Sequence, residues 1–265
     1  MSRQSGFTPW WEPFQVPSGQ QATLGLGPLV LRLHRGLDQW TLSTERDPEG
    51  DEPIRASRTL DEGPLGAEKY ERYVQQSPRG DLRFVPTLAD RPVVVRPRQP
   101  VFVLPGQRIT LFLSTPIWIR IEVGEPPRLL QEVPVMRLSD TWFGPSTREG
   151  ELCYAARTHA RHSLEELPLR PHRAVTPVRI HNQADSQLPI DKLSLPVPLL
   201  SVFGGAECSL WTEGVSLTRT ADSELASMKI DTGPPRDAAA ARLLSGPRRH
   251  PERGGLVRAF SGLFE

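Results

Sequence analysis

Apolar and polar residues alternate with a period of two along much of this chain, and few stretches carry the spacing of a helix. Leu29, Leu31 and Leu33 alternate with Val30 and Arg32, as in a half-buried strand. Trp40-Thr41-Leu42-Ser43 reads as its partner, with Arg35-Gly36 as turn material between them. Within residues 82–135 four apolar runs follow, at 93–95, 101–103, 109–113 and 117–123. Proline and glycine at Pro97, Pro100, Pro105-Gly106 and Pro116 punctuate them. That spacing predicts an antiparallel meander. In the last run Ile117, Ile119, Ile121 and Val123 share one face, with Trp118, Arg120 and Glu122 on the other. A further strand is expected at 149–158, and after a connector at 163–173 a second β set at 175–182, 188–195, 199–203, 209–212, 215–220 and 228–231, with turns at 182–185 and 204–205.

Two regions break this rhythm. Residues 45–80 are charged and proline-containing, and read as a flexible insert with one short helix over 67–76, where Tyr70, Tyr73 and Val74 fall on one helical face. Residues 234–253 are rich in Pro, Arg and Ala, with a helical turn expected around 238–244. Beyond them Leu256, Val257, Phe260, Leu263 and Phe264 form a compact stripe if the chain is helical, behind the basic residues Arg248, Arg249 and Arg253. Such a C-terminal amphipathic helix suits a partner groove or an anionic membrane surface.

The expected fold class is all-β: two packed antiparallel β-sandwich-like units with short peripheral helices. The N-terminal unit is residues 1–167, including the 45–80 insert. The C-terminal unit is 168–233, and the tail is 234–265. Composition narrows the picture. The chain has 265 residues, 28 of them Pro and 21 Gly, too many helix breakers for a bundle. With 32 basic and 31 acidic residues the net charge is +1, so no nucleic-acid partner is expected. No run approaches the roughly 20 apolar residues of a membrane span, and the N-terminus does not read as a secretory signal. A cytoplasmic protein, peripheral to the membrane at most, is the expectation. The two cysteines, Cys153 and Cys208, provide no disulfide framework.

Reactive residue types concentrate between 137 and 162. A nucleophile reading takes Cys153 with His159 or His162 as base and Asp140 as orienting carboxylate, which needs a thiol–imidazole contact of about 3 Å. A metal reading uses His159 and His162, three residues apart, with His172 or Cys153 as further ligands. A ligand-binding reading uses the aromatic residues Trp118, Trp142 and Tyr154 with Arg157. The structural alternative has Trp142-Phe143 anchoring a turn into the core while Asp140 caps amides beside it. No phosphate-binding glycine loop, dinucleotide fingerprint or nucleophile elbow occurs, and no cofactor is expected.

Trp10-Trp11, Trp40, Arg91-Pro92-Val93, Pro116-Ile117-Trp118, Leu138-Ser139-Asp140-Thr141-Trp142-Phe143-Gly144 and Gly150-Glu151-Leu152-Cys153-Tyr154 together resemble an archaeal and bacterial domain-of-unknown-function family, number 432. The resemblance covers roughly residues 10–231. It implies no activity, cofactor or catalytic residue. Some members look to be encoded near small mechanosensitive channels, which implies a membrane-linked partner. The combined expectation is a non-enzymatic binding or accessory module, a peripheral partner of a membrane protein, docking through the Trp142 turn and Leu256, Val257, Phe260, Leu263 and Phe264. Two alternatives stand beside it: a small hydrolase or transferase using Cys153 with His159 or His162, with or without a metal, and sugar or small-ligand binding on an aromatic sandwich face.

Overall fold

Period-two patterning becomes strand almost throughout. The structure, a computed structural model, describes residues 9–47, 56–63, 65–66, 69–76, 78–158, 160–165, 167–168, 170–220, 225–250 and 256–261. The strands run β1 (Phe14–Gln15), β2 (Gln20–Leu26), β3 (Leu29–Arg35), β4 (Gln39–Arg46), β5 (Ser57–Glu62) and β6 (Glu71–Val74). Next come β7 (Asp81–Thr87), β8 (Val93–Pro97), β9 (Val101–Val103), β10 (Arg108–Pro116), β11 (Trp118–Val123) and β12 (Arg128–Pro134). They continue with β13 (Ser139–Phe143), β14 (Glu151–Thr158), β15 (Arg173–Asn182), β16 (Leu188–Ile190), β17 (Lys192–Leu195) and β18 (Val202–Gly204). The last are β19 (Leu210–Trp211), β20 (Val215–Arg219), β21 (Leu225–Ile230), β22 (Arg242–Ser245), β23 (Leu256–Arg258) and β24 (Phe260–Ser261). Helical structure among the described residues is confined to 3₁₀ turns at Val197–Leu199, Ala206–Cys208 and Arg236–Ala238. The fold class is all-β.

Among the described residues five sheets form: β1-β7-β11-β12, β13-β14-β8-β17-β24, β5-β2-β3-β4-β6, the pair β16-β9, and an eight-stranded sheet centred on β15. The β2–β3–β4 meander follows the sequence reading closely. Leu24, Leu26, Leu29, Leu31 and Leu33 are wholly buried, and Gly27, at φ +56°, makes the turn between β2 and β3. The turn at 182–185 also forms as expected. The Asn182 side chain accepts from Ala184 N and donates to Val103 O and Ser186 O, a local Asx-type closure.

The meander expected over 82–135 does not form beyond β11–β12. Instead β8 pairs with β14 and β17, β9 with β16, and β10 with β15 along nine residue pairs, 108–116 against 173–181. Turn residues mark where a strand ends but do not choose its partner. Each of these pairings bridges residues on the two sides of 167/168, apart from β8–β14. One apolar cluster likewise draws on Trp40, Phe84 and Ile119 from one side and Val178, Ile180 and Leu217 from the other. Strand β10 is covered on both faces: Leu111 and Leu113 enter that cluster, while Phe112 joins Val175, Phe203, Trp211 and Ala241 behind the sheet. Burial on both faces explains the unbroken apolar run at 111–113.

The two helical expectations fail where they are described. Residues 71–74 form β6, paired with β4 so that Tyr73 lies opposite Trp40, and 57–62 form β5 on the opposite edge of the same sheet. Three residues at helical spacing span one turn, too little to outweigh an open edge of a formed sheet. The first stretch of the insert, 48–55, lies outside the described residues. At the C-terminus Leu256 and Val257 lie in β23, paired with β21, and Phe260 lies in β24, paired with β17. Buried Ala259 between them accepts a hydrogen bond from Ser194 N at 3.0 Å. Leu263 and Phe264 lie outside the described residues. The helical turn expected at 238–244 reduces to the 3₁₀ turn, followed by β22.

Ile180→Ala, at a buried position of β15, should lower the unfolding free energy by about 2–5 kcal/mol while leaving one transition in urea followed by tryptophan fluorescence. Two separated transitions would mean that the two halves unfold independently.

Candidate functional site

Strand register decides which sequence candidates meet. In the β13–β14 hairpin Asp140 lies opposite Tyr154, and Trp142 opposite Leu152. Because side chains alternate across a strand, these four share one face, and Thr141, Phe143, Cys153 and Arg157 share the other. Strand β8 runs parallel to β14 with Val93 beside Tyr154, which brings the preceding Asp90-Arg91-Pro92 segment to the Tyr154 ring. The Tyr154 hydroxyl donates to Asp90 Oδ1 at 3.0 Å. The Arg91 guanidinium carbon stands 5.2 Å from the ring centroid, within cation–π range. Arg91 also donates to Asp140 Oδ1 at 3.2 Å. Beneath, the buried Trp118 ring meets Tyr154 at 5.5 Å between centroids. Burial, then the Asp90 bond and charge, push the Tyr154 phenol pKa up, against a smaller opposing effect of Arg91. The phenol therefore acts as a neutral donor and ring surface.

Outward from Tyr154 the same face becomes apolar and open. Trp142 is 47% exposed and Leu152 44%, although Trp142 Nε1 is tied to Ser146 O at 2.7 Å. The loop joining the two strands is as tight as a backbone allows: a Cβ on Gly144 would lie 2.0 Å from Glu149 O. That contact accounts for glycine after Trp142-Phe143. Strand β13 ends its sheet, with no neighbour on its outer side among the described residues.

The reactive constellation is not assembled. Cys153 is wholly buried with Val94 and Phe143, on the opposite face from Asp140. Burial, with the Glu151 charge adding and a bond to Ser194 opposing, pushes its thiol up to about 12. His159 lies outside the described residues. His162 is exposed and follows Arg161, which is bridged to Phe112 of β10, so another sheet holds it. His172 is buried against Gly27. No group of three His, Cys, Asp or Glu side chains placed to hold a metal occurs among the described residues. Arg157 is exposed beside Arg96 of β8, on the face away from the aromatic residues.

Sequence reasoning missed Asp90 and Arg91 as site residues, although Arg91 stands in one of the motifs that carry the family resemblance; their position just before β8 was the other signal. It also missed a cleft between β4, β6 and β12. One hollow of about 400 Å³ there is walled by Leu42, Tyr70 and Val133. A neighbouring one of about 510 Å³ is walled by Pro28, Val135 and Met136. Both share Thr44, Arg46 and Arg137. These residues are far apart in sequence and only the fold joins them. A third hollow, of about 400 Å³, lies on the face of β10, β15 and β20 around Arg108, Arg179 and His181.

Three outcomes check this geometry. At pH 8 a thiol reagent should modify neither cysteine in the folded chain and both after unfolding, since Cys153 and Cys208 are buried with raised thiol pKa values. The raised Cys153 value also means that the folded state holds its proton longer than the unfolded chain. Stability should therefore fall as pH rises from 9 toward about 12, and Cys153→Val should flatten that fall in urea denaturation. Gly144→Ala should open the hairpin loop and quench or shift Trp142 emission while the rest of the fold persists.

No helix among the described residues is long and apolar enough to cross a membrane. Searches of the curated proteins and of the solved structures return no match. The model of the family described as Protein of unknown function (DUF432) matches residues 10–265, and the chain belongs to that family.

Proposed function

We propose that this member of the DUF432 family is a non-enzymatic binding module, an accessory protein that holds an extended segment of a partner protein against the β13–β14 hairpin. The observation that carries the reading is the register pair Trp142 and Leu152, nearly half exposed beside each other at the outer strand of a sheet. Natural sheets blunt or cover an open edge unless it serves pairing. A partner strand added to β13 makes main-chain hydrogen bonds and lays alternate apolar side chains on Trp142 and Leu152. The exposed carboxylates of Asp90 and Asp140 suit a basic residue flanking that segment. Beneath, the Trp118–Tyr154–Arg91 contacts make a stiff base. Surface ion pairs of this kind contribute only about 0–1 kcal/mol to stability, so their value lies in fixing the ring. Two unpaired buried thiols agree with a reducing, cytoplasmic setting, and a partner at the membrane periphery fits a chain that docks by an edge. Sugar binding on the same face is the second reading, favoured by the exposed indole beside the polar Asp140–Arg91 rim.

Affinity capture from the source cell with purified wild-type, Trp142→Ala and Leu152→Ser chains tests this. A protein recovered by wild type, lost with both variants and kept by Leu243→Ser at a remote exposed site is the expected result. Equal recovery by all four chains overturns the docking face. Retention on a carbohydrate matrix, lost with Trp142→Ala, replaces the protein partner by a sugar.

A further inference from the structure

We infer that the cleft between β4, β6 and β12 is a binding site for a phosphate monoester, held by Arg46 and Arg137 with its organic body against the adjoining apolar wall. The site is independent of the hairpin face. Arg46, at the end of β4, is fixed in place: Nε and Nη2 both donate to Pro134 O, at 3.3 and 2.8 Å. Its Nη1 edge has no protein acceptor among the described residues. Arg137, itself exposed, lies between β12 and β13, and no carboxylate lies within ion-pair distance of it among the described residues. Both guanidiniums line the two hollows, so the space between and beside them is open.

The two like charges are close enough to act on each other. Burial first, and then the Arg137 charge, hold the Arg46 guanidinium below its usual range. Like-charge neighbours of this kind are destabilising in the empty protein and become favourable when an anion bridges them. The carboxylates near them are engaged elsewhere in part. Glu132 pairs with Arg248, and Glu71 accepts from the Tyr73 hydroxyl at 2.6 Å and from Gln131 at 3.3 Å. Asp47 lines only the second hollow. Lys69 lines the first and adds a further cation.

A dianion matches two guanidiniums better than a single carboxylate, since it brings two negative charges and three terminal oxygens to the Arg46 Nη1 edge and the Arg137 fork. The Thr44 hydroxyl is a further donor on the shared wall. Met136, half-buried beside the buried Pro28 and Val135, offers an apolar contact beside the charges, which suits an ester rather than bare phosphate. The ester oxygens are the shared chemistry of a soluble phosphorylated metabolite and a lipid headgroup.

Isothermal titration of the full chain with phenyl phosphate, with inorganic phosphate, and with phosphatidylcholine vesicles containing phosphatidic acid tests the site. Saturable binding to phenyl phosphate or to the vesicles, tighter than to inorganic phosphate, is expected. Binding of phenyl phosphate identifies a soluble ester, and binding of vesicles alone a lipid headgroup. Arg46→Ala and Arg137→Ala should each weaken binding at least tenfold. Arg108→Ala, in the hollow on β10, should leave it unchanged. Affinity should fall below about pH 6, where the ester becomes a monoanion. If Arg46→Ala does not fold, the exposed Arg137 variant decides alone. No saturable binding, undiminished binding by the Arg137 variant, or loss with Arg108→Ala overturns the site.

Discussion

The ladder between β10 and β15 is the constraint on which the rest of this protein depends. Nine antiparallel pairs join a strand from the first half of the chain to one from the second, and both faces of much of that ladder are covered. On one side Leu111, Leu113, Val178 and Ile180 enter the large apolar cluster. On the other Phe112 and Val175 are sealed by Phe203, Trp211 and Ala241. A buried strand pair must satisfy every main-chain group internally, so neither strand is at ease without the other. Strands β19 and β20 then add to the far side of β15 in parallel, and the large sheet grows from there.

The same logic of alternation sets the surface chemistry. A one-residue slip of β14 against its neighbours would exchange Tyr154 for Cys153 on the open face. The observed register instead buries the thiol and exposes the indole. It therefore separates Asp140 from Cys153 and brings it to Arg91, so a segment dense in reactive residue types becomes an aromatic platform with a charged rim. The Arg46–Arg137 cleft arises differently, where the edge of one sheet leans on the end of another.

Several elements were legible in the amino-acid order because their signal is local. The Leu29-Leu31-Leu33 alternation and the Asn182 turn each require only neighbours in sequence. The buried faces of Ile117, Ile119 and Ile121 were readable for the same reason, and Trp10 and Trp11 are buried as two adjacent indoles should be. Partner choice was not legible: Val93-Val94-Val95 and Ile109 to Leu113 look alike, yet they pair in different sheets. The stretch around Tyr73 and the one around Phe260 misled because a few apolar residues at helical spacing also fit a short strand at an available edge. At the hairpin site the aromatic members were visible as residue types, whereas Arg91, Asp90 and the Arg46–Arg137 pair depend on contacts that no spacing rule encodes.

Native-state hydrogen exchange on the amides of β10 and β15 tests the central claim most directly. Slowest exchange in both strands, with the protection free energy of the whole chain and shared by β3 and β20, is the outcome this account predicts. Early opening of β10 and β15 while β2–β3–β4 stays protected would contradict it.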